Sequence, residues 1–258
     1  MTSPDVAGPL AVTPAASIAG GGGGWPAPDV RVAELVAVRH GQSRSNELIM
    51  AANQAGRAEV TGLPDRDADV PLSTKGVAEA AAFGRWVAAL PAGQAPDLVV
   101  SSPYVRARDT AAAALAALAD AGRPVRSAID DRLRDREIGI FTLMTEAAAA
   151  TAYPAEVARW EATGNLYYRP PGGEAHTDVA LRLRSFLTDL GQVAAGQRVL
   201  VVAHDSVVMM LRYVIEGLLE ADLDEIVASG GIRNASVTRW CSDGTTLRLT
   251  EFNQVAHL

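Results

Sequence analysis

The order of apolar runs along the chain predicts an α/β fold, a three-layer α/β/α sandwich around a mainly parallel central sheet. Three observations predict it. Short runs rich in Val, Leu and Ala, at residues 34–38, 97–100 and 198–203, have the length and composition of buried strands. Longer segments of helical pattern separate them, the kind of connection that parallel pairing requires. Each run also ends in a polar sequence, Arg39-His40-Gly41, Ser102-Pro103 and His204-Asp205. In such sheets ligands gather at the carboxyl ends of the strands.

The elements follow in order. Residues 1–29 are rich in Ala, Gly, Pro and Ser, with an unbroken glycine run at Gly20–Gly24. Such a stretch cannot offset its chain entropy by burial, so a disordered tail is expected ahead of a single domain at 30–258. Trp25-Pro26 follows the glycines, not the Lys-Ser/Thr that a phosphate loop needs. The strand at 34–38 feeds a loop. Ser73 caps a helix reaching about Leu90, and residues 91–95 turn into the strand at 97–100. An Ala-rich helix over 104–120 is stopped by Gly122 and Pro124, and 125–128 reads as a third strand. Helices are expected over 154–163 and 177–192, then the strand at 198–203 and a helix over 206–219. Residues 235–241 and 246–252 form a terminal hairpin around Asp243-Gly244.

Composition excludes several classes. At 258 residues, the chain can bury roughly 70–75% of its unfolded surface without a staple. A single cysteine, Cys241, rules out an internal disulfide framework and a multi-thiolate metal site. The net charge of −7 argues against nucleic acid as a partner, although a pocket can be positive on an acidic protein. The most apolar run, 199–211, is broken by His204 and Asp205 and falls short of the roughly 20 residues that span a membrane. No Lys or Arg occurs before Arg31, so the basic start of a secretory signal is missing and the cytoplasm is the expected compartment.

Of four histidines, His40 and His204 follow directly on apolar strands, where this fold class places ligands. The residues around them carry a resemblance. Val36-Ala37-Val38-Arg39-His40-Gly41-Gln42-Ser43-Arg44-Ser45-Asn46 is similar to the signature of the histidine phosphatase superfamily, in its phosphoglycerate mutase-like branch. Pro71-Leu72-Ser73-Thr74-Lys75-Gly76, Ser102-Pro103-Tyr104-Val105-Arg106-Ala107-Arg108-Asp109-Thr110-Ala111, Leu133-Arg134-Asp135-Arg136-Glu137-Ile138-Gly139, Pro171-Gly172-Gly173-Glu174 and Leu200-Val201-Val202-Ala203-His204 resemble its later blocks, in family order.

The resemblance implies the following roles. His40 is the nucleophile that attacks phosphorus and becomes phosphohistidine. Arg39 and Arg106 grip the phosphate oxygens, a task suited to a planar fork that never deprotonates. His204, protonated, completes the cage, and Asn46 donates an amide hydrogen to it. Gln42 and Ser43 count among the phosphate-binding residues. Asp135 occupies the slot of the general acid, with Glu137, two residues on and on the same side of an extended segment, as the alternative. No metal or cofactor is implied, because side chains supply the positive charge.

Departures from the pattern carry further expectations. Asp205 stands where the family has Gly and is expected to turn away from the phosphate. Ala175 replaces a Ser. The stretch Ile140-Phe141-Thr142-Leu143-Met144-Thr145 lacks the Gly-Leu-Asn-Lys of the mutases. The expected activity is therefore a phosphomonoesterase acting on a small phosphorylated metabolite. A bisphosphoglycerate-dependent mutase and a catalytically weak phosphate-binding protein are the alternatives, and a homodimer is compatible with all three. Specificity is expected in residues 51–69 and 145–169. Tyr167-Tyr168-Arg169 either touches substrate or packs under the turn, and Ser102 either orients Arg106 or caps a helix. His176 is expected at the surface, Arg108 on an outer helix face, Cys241 in the core and His257 in an idle tail.

Overall fold

The structure is a computed structural model and describes residues 27–258. The reading of residues 1–29 as a separate tail lies outside the described residues up to Pro26. From there the chain is already seated: a side chain at Gly191 would meet the carbonyl oxygen of Asp29 at 2.5 Å.

Among the described residues, six strands form one sheet in the order β3-β2-β4-β1-β5-β6. They are β1 (Glu34–Arg39), β2 (Leu98–Ser101), β3 (Arg126–Ile129), β4 (Arg198–Ala203), β5 (Val237–Ser242) and β6 (Leu247–Gln254). The first four pair in parallel, and β5 and β6 add an antiparallel hairpin at one edge. The helices are α1 (Arg44–Gln54), α2 (Thr74–Ala89), α3 (Val105–Asp120), α4 (Glu146–Ala152), α5 (Pro154–Thr163), α6 (His176–Val193), α7 (Asp205–Glu216) and α8 (Glu220–Ala228).

Two-residue periodicity of the strands divides the core. Leu35 and Ala37 of β1 join Val199, Val201 and Ala203 of β4 against α6 and α7. Val38, Leu200 and Val202 face the other way, onto Phe83 and Val87 of α2 and Ala107, Ala111 and Ala114 of α3. Strands buried on both faces must read as continuous apolar runs, as these do. The small alanines of α3 let α2 approach it: a side chain at Gly84 would meet the Ala113 carbonyl oxygen at 2.6 Å.

Helix α7 ends three residues earlier than the sequence pattern suggests, because Gly217 takes a left-handed conformation with φ 69° and caps it. Three helices were not legible as such: α1, α4 and α8. No helix among the described residues is long and apolar enough to cross a membrane.

Candidate active site

Parallel pairing of β1 with β4 sets Arg39 opposite Ala203. The residues that follow, His40 and His204, therefore leave the sheet side by side. The His40 N–H donates to the Ala203 carbonyl at 2.9 Å, and the two rings lie 5.1 Å apart. Both side chains are buried, at 2% and 0% exposure.

The loop behind His40 is clamped by close backbone approach. A side chain on Gly76, in the first turn of α2, would lie 1.9 Å from the Gln42 carbonyl oxygen, so only glycine fits. Ser73 caps α2 and donates to Gln42 Oε1 at 2.7 Å, while the Gln42 N–H donates to Glu79 at 2.7 Å. Ser43 caps α1, accepting from the Asn46 N–H at 3.1 Å. Gln42 and Ser43 are thus occupied in holding the loop, and neither lines the cavity. This corrects their expected contact with phosphate. Asn46 does line it. Its Oδ1 accepts from the Ser43 N–H and from Asn234 Nδ2, which leaves its NH2 to offer a ligand.

His40 is held in one tautomer. Nδ1 lies 2.6 Å from the Gly41 carbonyl oxygen, which can only accept, so Nδ1 carries the proton. Nε2 accepts from Arg106 Nε–H at 3.2 Å and so holds a lone pair. Burial, then the charges of Arg106, His204 and Arg39, keep the imidazole neutral well below the usual histidine range. This is the state a nucleophile requires.

Arg106 enters from the first turn of α3. Its Nη1 donates to the Asp67 carbonyl at 2.7 Å and to Asp67 Oδ1 at 3.3 Å. Its Nη2 donates to Asp67 Oδ2 and Asp135 Oδ2, both at 2.9 Å. An anion that pairs end-on with this guanidinium therefore competes with Asp67. Arg39 bonds the Ile232 carbonyl through Nη1, and its Nη2 is 3.9 Å from Asp205. Among the described residues, the buried Arg39 Nε and His204 Nδ1 have no hydrogen-bond partner. His204 Nδ1 lies 3.2 Å from Asp135 Oδ2 but off the axis of a hydrogen bond.

Asp135 accepts from Ser206 Oγ at 2.7 Å and from the Arg136 N–H at 2.9 Å. Burial would raise its carboxyl. The positive field of His204 and Arg106 and the Ser206 hydroxyl outweigh this and hold it well below the usual carboxylate range. Glu137 also lines the cavity and accepts from the Tyr104 hydroxyl at 2.6 Å. The loop that carries both acids packs on the Pro171-Gly172 turn. There Gly139 has φ 53°, and a side chain would meet the Pro171 carbonyl oxygen at 2.1 Å.

His40, Asp135 and His204 bring ligand-type atoms within 4.8 Å of one another. The Arg106 guanidinium already engages His40 Nε2 and Asp135, which sets a cation where a metal would bind. The arrangement suits an anion instead.

Other expectations need correction. Ser102 orients His204, not Arg106: its Oγ is 2.7 Å from His204 Nε2, and it also accepts from the Tyr104 N–H. Asp205 faces the cavity rim beside Arg39 rather than turning away, because its Oδ1 caps the Ser206 N–H at 2.8 Å. His176 is buried in the cavity wall, its Nδ1 2.8 Å from the Asn165 carbonyl oxygen. Burial and the neighbouring Arg136 charge push its pKa down to about 4. Tyr168 packs, stacked on Trp160 at 5.2 Å, while Tyr167 is exposed. His257 lies 5.3 Å from the Trp86 ring and bonds the Ala235 carbonyl oxygen, and Cys241 is half-buried on β5 beside Thr250. Arg108 is exposed as expected.

The site opens into a cavity of about 730 Å³. Sequence reasoning missed Asp67, Ser206 and Asn234. Asp67 lies in a short 3-10 turn, Asp67–Asp69, with no periodic signal to place it. Ser206 was within reach, being the second residue of the helix that begins directly after the second histidine.

Comparison with known proteins finds clear relatives. Residues 35–255 match the profile described as "Histidine phosphatase superfamily (branch 1)". A 2,3-bisphosphoglycerate-dependent phosphoglycerate mutase of Methylobacterium radiotolerans is 34% identical over 85% of this chain and 95% of that protein. A glucosyl-3-phosphoglycerate phosphatase of Mycolicibacterium vanbaalenii is 34% identical over 80% of this chain and 83% of that one. A solved structure of a mycobacterial glucosyl-3-phosphoglycerate phosphatase in complex with VO3 superposes with a TM-score of 0.65. It is 27% identical and covers 86% of this chain and 99% of that one.

Proposed function

This chain belongs to branch 1 of the histidine phosphatase superfamily, and we propose that it is a phosphomonoesterase. It acts on a small phosphorylated metabolite through a phosphohistidine on His40, without a metal. One observation carries the reading. A neutral His40 presents the lone pair of Nε2 among Arg39, Arg106 and His204; the buried Arg39 Nε lacks a partner, and His204 Nδ1 has only the Asp135 carboxylate, 3.2 Å away and off the hydrogen-bond axis. A buried donor without a partner is costly, and a tetrahedral anion satisfies Arg39 Nε and offers His204 a second acceptor.

The chemistry follows. The phosphoryl oxygens take Arg39, Arg106 and His204, with the Asn46 amide at the rim. His40 Nε2 attacks phosphorus in line, a P–N bond forms, and the P–O ester bond breaks. The leaving oxygen takes a proton from a carboxylic acid, which we assign to Asp135. Asp135 begins as a carboxylate under the field of His204 and Arg106. A dianionic ester seated on those same cations weakens that hold, so Asp135 takes up a proton from solvent as the ester binds and is the acid when the P–O bond breaks. In the second half the Asp135 carboxylate takes a proton from water, whose oxygen attacks phosphorus. The P–N bond breaks, phosphate leaves, and His40 is restored. One relative is named a 2,3-bisphosphoglycerate-dependent phosphoglycerate mutase and another a glucosyl-3-phosphoglycerate phosphatase. The open cavity admits water as acceptor and favours hydrolysis over transfer back to the alcohol.

The test is hydrolysis of p-nitrophenyl phosphate in EDTA by wild type and His40→Ala. Release that persists in EDTA and is lost in His40→Ala supports the proposal. Equal release by both proteins refutes it.

A further inference from the structure

Resting on the phosphomonoesterase reading, we infer that the substrate's alcohol half is uncharged and bears an apolar ring, and that the pocket discriminates against a second anion. Two independent features of the cavity lead there.

The first is charge. Three guanidiniums line the cavity, those of Arg39, Arg106 and Arg136. The first two belong to the phosphoryl group. Arg136 is a strut of the wall: Nε donates to the Glu174 carbonyl at 2.8 Å and Nη2 to the Tyr168 carbonyl at 3.1 Å. Its guanidinium lies 5.6 Å from the Trp160 ring centre, and the residue is 8% exposed. Beyond Asp135, the carboxylates of Asp67, Glu137, Glu146 and Asp205 also line the cavity. A carboxylate a few atoms from the ester phosphorus would face these like charges with no free cation among the lining residues. Such juxtaposition rejects a ligand more strongly than a lost contact does.

The second is the apolar wall. Ile49 and Met50 reach in from α1, Leu143 and Met144 from the loop before α4, Trp160 from α5 and Val227 from α8. Met50 and Val227 are 51% and 47% exposed, an apolar surface left uncovered at the mouth. Trp160 is fixed by Tyr168 stacked at 5.2 Å and by its indole N–H donating to Asn165 Oδ1 at 2.9 Å. Neutral amides, Asn53, Gln54, Asn165 and Asn234, also line the cavity. A cavity of about 730 Å³ far exceeds what a phosphate fills. Apolar walls with a few neutral hydrogen-bonding groups are what a ring-bearing uncharged alcohol requires.

The test separates charge from shape with three alkyl esters whose alcohols leave with similar difficulty. These are benzyl phosphate, glycerol 3-phosphate and 3-phosphoglycerate, with p-nitrophenyl phosphate as control. The inference expects kcat/KM to fall in that order, with benzyl phosphate favoured about tenfold or more over 3-phosphoglycerate. Trp160→Ala narrows the advantage of benzyl phosphate over glycerol 3-phosphate. Glu146→Lys, at the exposed rim, raises kcat/KM for 3-phosphoglycerate several-fold. If 3-phosphoglycerate or glucosyl-3-phosphoglycerate is cleaved as well as or better than glycerol 3-phosphate, the inference is overturned while the phosphatase reading stands. No release from any ester, the control included, overturns both.

Discussion

Replacing Asp67 by Asn should tighten phosphate binding, although the side chain touches the centre of the anion site. In the unliganded protein Asp67 spans Arg106 with both carboxylate oxygens, at 3.3 and 2.9 Å. The Arg106 side chain is 4% exposed and that of Asp67 26%, so water screens the pair weakly. A hydrogen bond between charged groups in such a setting contributes about 1.5–3 kcal/mol. Phosphate must displace that contact, and it also approaches a like charge. Asparagine keeps the shape, the backbone bond from Arg106 and one neutral acceptor, but removes the charge. A net relief of about 1.4 kcal/mol corresponds to tenfold in affinity. The assay is competitive inhibition by inorganic phosphate and the KM for p-nitrophenyl phosphate, wild type against D67N, at pH 7. Both constants should fall by about tenfold, with kcat changed little. Weaker phosphate inhibition in D67N would refute the competition. A collapse of kcat with KM unchanged would instead make Asp67 the proton donor.

Three further outcomes follow. Asp135→Asn should lower kcat on an alkyl phosphate by about 10²–10⁴ and on p-nitrophenyl phosphate far less, since nitrophenolate leaves without a proton; Glu137→Gln showing that pattern instead would move the acid to Glu137. The acid limb of kcat/KM should not contain an inflection near pH 6.5 from His40, because the ring takes its second proton only well below the usual histidine range; an inflection there that tracks His40 by NMR would contradict the reading. Burial of His176, whose pKa is about 4 in the folded chain against 6.5 unfolded, means the unfolded chain binds the extra proton between these values. Stability should therefore fall as pH drops through that window, by on the order of 3 kcal/mol from this residue. Urea unfolding of H176N should show a flatter dependence, and an identical slope would refute the assignment.

Much of the site was legible because the chemistry depends on strand ends. Arg39, His40 and His204 follow apolar runs that can only be buried strands, and the parallel register brings them together without help from side chains. Arg106 and Asp135 were legible only through resemblance: a 16-residue helix and an extended loop carry them, and no spacing rule links either to His40. Gln42 and Ser43 look like ligands beside His40, yet backbone satisfaction claims them, since a loop leaving a sheet and a helix start both need acceptors. The place of His176 after a Pro-Gly turn reads as surface. That turn folds back on the acid loop through Gly139 and carries it inside. The specificity wall was least legible. Helices α1, α4 and α8 are only 11, 7 and 9 residues long, too short for a periodic apolar stripe to announce them in the sequence.

The central claim is a phosphoryl group carried on His40. Brief incubation with ³²P-labelled substrate ester, an alkaline quench and peptide mapping tests it most directly, because phosphohistidine survives base and not acid. The account predicts alkali-stable label on the peptide containing His40 in wild type, still present in EDTA and absent from His40→Ala. Catalysis with no label on that peptide, or the same label in His40→Ala, would contradict it.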